Sequence, residues 1–144
     1  MSLVDERAGP PPPAAPAEAV LVVEDDVLVR LVIAAYLRDC GYRVFEAANG
    51  DEAIKLLARD DAGISIVLTD VEMPGQTDGF ALAQWIRRER PGIELLIAGT
   101  PARAADAAGD LCGEGPHRTK PYEPSLALDR IRRLLAMRTN PGQP

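Results

Sequence analysis

Short apolar runs alternate five times with helix-like stretches, and this alternation constrains the fold more than any other feature of the sequence. The apolar or β-branched runs cover residues 20–23, 42–46, 64–68 and 93–98, with a weaker fifth run at 117–119. Apolar residues at helical spacing follow at 27–40, 51–60, 78–90, 102–111 and 125–137. Such alternation predicts an α/β fold, in which a five-stranded parallel sheet is covered by helices and joined by right-handed crossovers.

The two ends of the chain differ from this pattern. Residues 1–18 contain four consecutive prolines and further alanine and proline. Proline removes backbone donors and favours an extended backbone, so we expect a disordered leader there. Residues 19–138 are then a single domain, and residues 139–144 are expected to be a flexible tail, too short for an output domain.

Composition excludes several classes of function. The net charge of −6 argues against a nucleic-acid or anionic-membrane binder. The apolar runs are too short to cross a bilayer and the N-terminus lacks a secretory signal, which predicts a cytoplasmic protein. The two cysteines, Cys40 and Cys112, are far apart in sequence and cluster with no other metal-binding residue. That pattern suits a reducing cytosol and gives no sign of a disulfide or zinc site.

Charged and small polar residues follow the ends of the predicted strands. Functional groups of parallel sheets gather at the carboxyl ends of the strands, where this chain has Glu24-Asp25-Asp26, Asp70, Gly99-Thr100 and Lys120. Two carboxylates about 4 Å apart repel by roughly 4 kcal/mol at an effective dielectric near 20. A hard cation such as Mg²⁺ offsets this repulsion, and a lysine can contact a phosphate.

Several motifs resemble the receiver domains of two-component response regulators. They are Leu21-Val22-Val23-Glu24-Asp25-Asp26, Leu68-Thr69-Asp70-Val71-Glu72-Met73-Pro74-Gly75, Asp78-Gly79 and Lys120-Pro121-Tyr122. The loop from Met73 to Gly79 is one residue longer than the commonest receiver pattern. The resemblance covers nearly all of residues 20–137, and it implies the flavodoxin-like fold with strand order 2-1-3-4-5.

The resemblance also implies a role for each motif residue. Asp70 would be the phosphoacceptor, while Glu24, Asp25 and the backbone carbonyl of Glu72 would hold Mg²⁺ together with Asp70. Lys120 would contact the phosphoryl group. Asp26 lies farther from the preceding strand than the acidic pair does, and it is expected to cap the first helix.

The sequence departs from the receiver pattern after the fourth strand. Receivers usually have Ser or Thr there, whose hydroxyl bonds the phosphoryl oxygen and moves on activation. Here Gly99 occupies the position and Thr100 follows. Either Thr100 supplies the hydroxyl through a shifted loop, or the switch hydroxyl is missing.

A second departure is His117, which stands where receivers often have an aromatic switch residue. It is either an exposed imidazole without a special role or a switch residue whose charge changes near neutral pH. The arginines of the last helix, Arg130, Arg132 and Arg133, indicate a solvated face. Alternatively, they pair with a second protomer in a homodimer formed through the last helix and strand five.

These observations predict a stand-alone receiver rather than an enzyme acting on a separate metabolite. A sensor histidine kinase or a histidine phosphotransfer protein would phosphorylate Asp70, and the signal would pass to a downstream protein. The alternative is a degenerate receiver that acts as a phosphorylation-independent adaptor. A nucleotide- or flavin-binding enzyme is disfavoured, because three acids replace the glycine-rich phosphate loop after the first strand.

Overall fold

The computed structural model describes residues 18–59, 62–71, 73, 77–114, 129 and 131–135. Strands and helices alternate along the chain. Their bounds are β1 (Ala19–Val23), α1 (Val27–Asp39), β2 (Arg43–Ala47), α2 (Gly50–Leu57), β3 (Ile64–Asp70), α3 (Gly79–Glu89), β4 (Glu94–Ala98) and α4 (Pro101–Glu114). Residues 131–135 are also helical. None of the helices in the described part of the chain is long and apolar enough to span a membrane.

The strands form a parallel sheet in the order β2-β1-β3-β4. This confirms the predicted α/β class and the first four positions of the expected strand order. The expected fifth strand at 117–119 lies outside the described residues, as do the expected leader up to residue 17 and the tail at 139–144.

Side-chain caps fix where the first helices begin. The carboxylate of Asp26 accepts hydrogen bonds from the backbone N–H groups of Leu28 and Val29, at 3.0 and 3.2 Å, which confirms the predicted cap. Asn49 and Asp78 cap α2 and α3 in the same way. These caps satisfy N–H groups that have no partner within the helix.

Each face of the sheet carries its own apolar core, and β1 contributes to both. Leu21 and Val23 face α2 and α3, whereas Val20 and Val22 face α1 and α4. All of β1 is buried, as expected of a strand covered on both faces. Phe80 of α3 lies outside both cores, and its side chain is 61% exposed.

Helix α4 packs on the same face of the sheet as α1. Ala105, Ala108 and Leu111 are buried in the core that α1 also lines, so the helix is better anchored than its alanine-rich sequence predicts. A right-handed crossover from β4 to a strand beyond it would instead place α4 beside α2 and α3. The observed packing therefore differs from the expected crossover.

The expectation that Cys40 and Cys112 have no partner is wrong, because a disulfide joins them. Cys40 directly follows α1 and Cys112 lies in the last turn of α4. The two positions are 72 residues apart in sequence, and only the packing of α4 on α1 brings them together. No local pattern could reveal that proximity.

Arg132 also contacts α4. Its guanidinium forms an ion pair with Asp106 at 2.7 Å and another with Asp129 at 3.5 Å. Arg132 is thus exposed, as the predicted solvated face requires, and its charge is paired with acidic residues of the same chain.

Gly79 allows the loop after β3 to close against the strand end. A Cβ atom at this position would meet the carbonyl oxygen of Asp70 and would lie 2.8 Å from the Cα atom of Val71. The N–H of Gly79 donates to the carbonyl of Val71 at 2.9 Å, so the helix start cannot move away without losing this bond.

We expect Gly79→Ala to lower the free energy of unfolding by about 1–3 kcal/mol, the usual cost of overpacking. The better helix propensity of alanine, about 1 kcal/mol, offsets only part of that cost. Gly92→Ala is the matched control, because a Cβ there meets nothing within 4 Å. Urea denaturation of both variants measures the difference, and equal stabilities would show that the close approach at Gly79 is unimportant.

Candidate functional site

Three acidic side chains meet at the carboxyl end of the sheet. Glu24 and Asp25 follow β1, and Asp70 ends the neighbouring strand β3. Val23 is paired with Thr69 across these strands, so the residues that follow lie side by side. One carboxylate oxygen from each of the three residues lies within 4.8 Å of the others. The structure thus brings together the acidic residues that the sequence placed at one site.

The three carboxylates differ in their surroundings. Glu24 is only 9% exposed and accepts a hydrogen bond from the N–H of Asp26 at 3.0 Å. The pKa of Glu24 is raised to about 8, mainly because the carboxyl is buried; the charges of Asp70 and Asp25 add to the rise, and the hydrogen bond from Asp26 opposes it. Asp25 is exposed and Asp70 is half-buried. Negative charge is therefore unfavourable here unless a cation compensates it.

The donor set suits Mg²⁺. All three available groups are carboxylate oxygens, the ligands that this hard cation prefers, and the exposed Asp25 leaves room for coordinated water. The pKa of Glu24 is raised mainly because its carboxyl is buried, so a bound cation would stabilise the charged form. Glu24, Asp25 and Asp70 would hold the ion, which would neutralise negative charge gathered at this edge of the sheet.

Arg30 reinforces the backbone beside the acidic cluster, a role that the sequence pattern did not reveal. Its guanidinium donates to the backbone carbonyl of Glu24 at 2.8 Å and lies 3.4 Å from the carboxylate of Glu46. Arg38 also pairs with Glu46, at 3.1 Å. Arg30 lies one turn into α1 from the cap at Asp26, a spacing that could have suggested proximity to the strand end.

Gly99 and Thr100 lie at the next strand end. Ala98 pairs with Asp70, so the connection from β4 to α4 starts beside the acidic cluster. The hydroxyl of Thr100 accepts a hydrogen bond from the N–H of Arg103 at 3.1 Å and thereby caps α4. A Cβ on Gly99 would approach only a side-chain carbon of Val71, at 3.8 Å.

The remaining predicted site residues lie outside the described residues. These are Glu72, whose carbonyl was expected to bind the metal, Lys120, expected to contact the phosphoryl group, and His117, expected as a switch residue. Their assignments stay predictions.

The sequence of the chain is similar to those of known proteins over most of its length. The model of the response regulator receiver domain family matches residues 20–117. The chain is 30% identical over 123 residues to the aerobic respiration control protein ArcA of Escherichia coli K12, covering 85% of this chain and 50% of that protein. It is 31% identical over 116 residues to the transcriptional regulatory protein ResD of Bacillus subtilis, covering 81% of this chain and 47% of that protein. The chain thus spans about half the length of the curated relatives it matches.

Solved structures give the same fold. A response regulator receiver protein from Pseudomonas putida superposes with a TM-score of 0.56 at 24% identity, covering 83% of this chain and 98% of that one. The chemotaxis response regulator CheY4 of Vibrio cholerae gives a TM-score of 0.54 at 26% identity, covering 83% of this chain and 99% of that one.

We expect Mg²⁺ to raise the melting temperature of the protein, because it binds the folded acidic cluster and not the unfolded chain. At about 100 times its Kd the ion adds about 2.7 kcal/mol to the free energy of unfolding. Glu24→Gln should abolish most of this increase. In metal-free buffer at pH 9, the same variant should have a higher melting temperature than the wild type. The buried carboxyl of Glu24 is charged at this pH, and the substitution removes that charge.

Glu94→Gln is the control for charge removal, since Glu94 is exposed and begins β4 at the opposite end of the sheet. Differential scanning calorimetry with and without chelator measures all three proteins. An undiminished Mg²⁺ response in Glu24→Gln would show that the cluster does not hold the ion.

Proposed function

The chain belongs to the response regulator receiver domain family, the phosphoryl-accepting domain of two-component signal transduction, and from that premise we propose that Asp70 is its phosphoacceptor. The observation that carries the proposal is the position of Asp70 at the carboxyl end of β3, within 4.8 Å of the carboxylates of Glu24 and Asp25. A nucleophilic carboxylate beside a cation-binding acidic pair is the arrangement that phosphoryl transfer to aspartate requires.

The donor is the phosphohistidine of a sensor histidine kinase or of a histidine phosphotransfer protein. A carboxylate oxygen of Asp70 attacks the phosphorus atom, and the P–N bond breaks with its electron pair remaining on the imidazole. The product is an acyl phosphate on Asp70. When bound, Mg²⁺ supplies positive charge to the phosphoryl oxygens. The reaction modifies the protein itself, so no separate metabolite is turned over.

The chain's own residues prepare Asp70 for this attack. One of its carboxylate oxygens accepts a hydrogen bond from the N–H of Val71 at 2.7 Å, which fixes the orientation of the carboxylate. Glu24 and Asp25 would hold the cation, and Arg30 fixes the backbone of Glu24 through the hydrogen bond that it donates to the Glu24 carbonyl. By its position in the motif, Lys120 would contact the phosphoryl group.

The signal passes to a downstream protein by protein–protein interaction. The net charge of −6 supports a protein partner over direct binding of nucleic acid. Arg132 forms an ion pair with Asp106 of the same chain. Its charge is therefore already compensated and is less available to pair with an acidic residue of a second protomer. A protein of different sequence is the partner we favour.

We expect a small phosphodonor such as acetyl phosphate to add one phosphoryl group to the protein when Mg²⁺ is present. Asp70→Asn should remove this addition, because an amide oxygen is a far weaker nucleophile than a carboxylate. Asp39→Asn, a change of an exposed aspartate at the end of α1, should leave it intact. Intact-protein mass spectrometry measures the added mass, and an addition that persists in Asp70→Asn would disprove the assignment.

Thr100→Ala should cost about 1 kcal/mol of stability through loss of the helix cap while phosphorylation of Asp70 continues. If the hydroxyl of Thr100 were instead required for the reaction, mass spectrometry would show no phosphorylated variant.

Gly99→Ser is expected to add a phosphoryl-binding hydroxyl, because the structure has room for a side chain there. A hydrogen bond to a charged group contributes about 1.5–3 kcal/mol. Phosphorylation should therefore change the NMR amide shifts between β4 and α4 more in this variant than in the wild type. Gly92→Ser is the control, and identical shift changes in all three proteins would contradict the expectation.

A further inference from the structure

A covalent bond links the C-terminal ends of α1 and α4. Cys40 directly follows α1, Cys112 lies in the last turn of α4, and their Cα atoms are 5.4 Å apart. Beside this bond, the hydroxyl of Tyr42 donates to the carbonyl of Leu111 at 2.6 Å in a buried position. The disulfide therefore lies beside a hydrogen bond that joins the segment between α1 and β2 to α4.

The remaining contact between α1 and α4 depends on small side chains. Helix α4 contributes Ala104, Ala105 and Ala108 to the shared core, and Leu111 is its one large buried aliphatic residue. Alanine methyl groups bury little apolar surface, so each contributes little to holding the helix. The position of α4 therefore depends more on the disulfide than the position of a leucine-rich helix would.

The other end of α4 adjoins the acidic cluster. Ala98 pairs with Asp70, and α4 begins three residues later at Pro101. Ala104 of α4 lines a small cavity together with Glu24 and Asp70. A change in the position of α4 therefore alters one wall of the site.

We propose that Cys40 and Cys112 form a redox-controlled clamp, whose disulfide holds α4 against α1 and whose reduction by a low-molecular-weight thiol releases α4. A thiolate attacks the sulfur of Cys112, which is 4% exposed whereas Cys40 is fully buried. The S–S bond breaks and Cys40 leaves as a thiolate that takes up a proton. A second small thiol then displaces Cys112, so that two small thiols become one small disulfide and the protein gains two thiols.

The first experiment tests whether the pair is reversible. The full chain is equilibrated with mixtures of reduced and oxidised glutathione, quenched in acid and alkylated after denaturation. We expect mass spectrometry to show both thiols lost together as oxidised glutathione increases, and both regained when the mixture is reversed. Two alkylated thiols at every ratio, or a stable glutathione adduct as the end product, would overturn the proposal.

The second experiment tests whether the bond holds α4. Reduction should speed hydrogen exchange of the α4 amides by about a hundredfold, because the covalent constraint on local opening is lost. The amides of α3, on the other face of the sheet, should not change. Equal exchange of α4 in the two redox states would overturn the clamp even if the disulfide forms.

Variants separate the disulfide from general effects of the reductant. Cys112→Ala should show fast exchange of α4 in both redox states, whereas Gly113→Ala, next to it in an open position, should keep the response. If Cys112→Ala does not fold, the comparison of oxidised and reduced wild type still decides the outcome.

The clamp goes beyond the proposed phosphorylation and does not depend on it. Asp70→Asn, which abolishes the proposed phosphoacceptor, should keep the full redox response of α4. Phosphorylation that persists in Asp70→Asn would therefore reject only the phosphoacceptor assignment, whereas equal exchange of α4 in the two redox states would reject only the clamp.

Discussion

Three neighbouring carboxyl groups that cannot all be charged without a cation are the constraint on which the rest of this structure depends. Two such charges about 4 Å apart cost roughly 4 kcal/mol at an effective dielectric near 20, and a domain of this size is stable by only about 5–15 kcal/mol. The strands that carry Glu24, Asp25 and Asp70 must therefore be fixed by interactions elsewhere. The completely buried β1, paired on both sides, supplies that support.

The acidic cluster could be predicted because every signal for it is local. Each strand is a short apolar run, and parallel strands bring the residues that follow them to one edge of the sheet. Asp26 could be assigned as a cap for the same reason. The exposure of Phe80 could not be predicted in the same way, because the spacing of apolar residues identifies only approximately which face of a helix is buried.

The position of α4 could not be predicted from such signals. An alanine-rich helix has no strongly apolar face, so its sequence does not determine which side of the sheet it covers. Its partner residues on α1 are about 70 positions away, and the disulfide shows the proximity only after folding. In the chain-entropy model, closing a loop of 72 residues stabilises the fold by about 4 kcal/mol, compared with about 0.8 kcal/mol for each buried methyl group.

The acidic cluster lies near the N-terminal end of α4 and the disulfide lies near its C-terminal end, and the connection from β4 leads from the cluster into this helix. Gly99 offers no hydroxyl to a phosphoryl group, and the hydroxyl of Thr100 already caps α4. A single hydrogen bond to a phosphoryl oxygen would contribute about 1.5–3 kcal/mol, whereas the link at the far end of the helix is a covalent bond. In the proposed clamp, the closed disulfide keeps the C-terminal end of α4 linked to Cys40 when Asp70 is phosphorylated. In that proposal, the state of Cys40 and Cys112 determines whether this end of α4 is free to move.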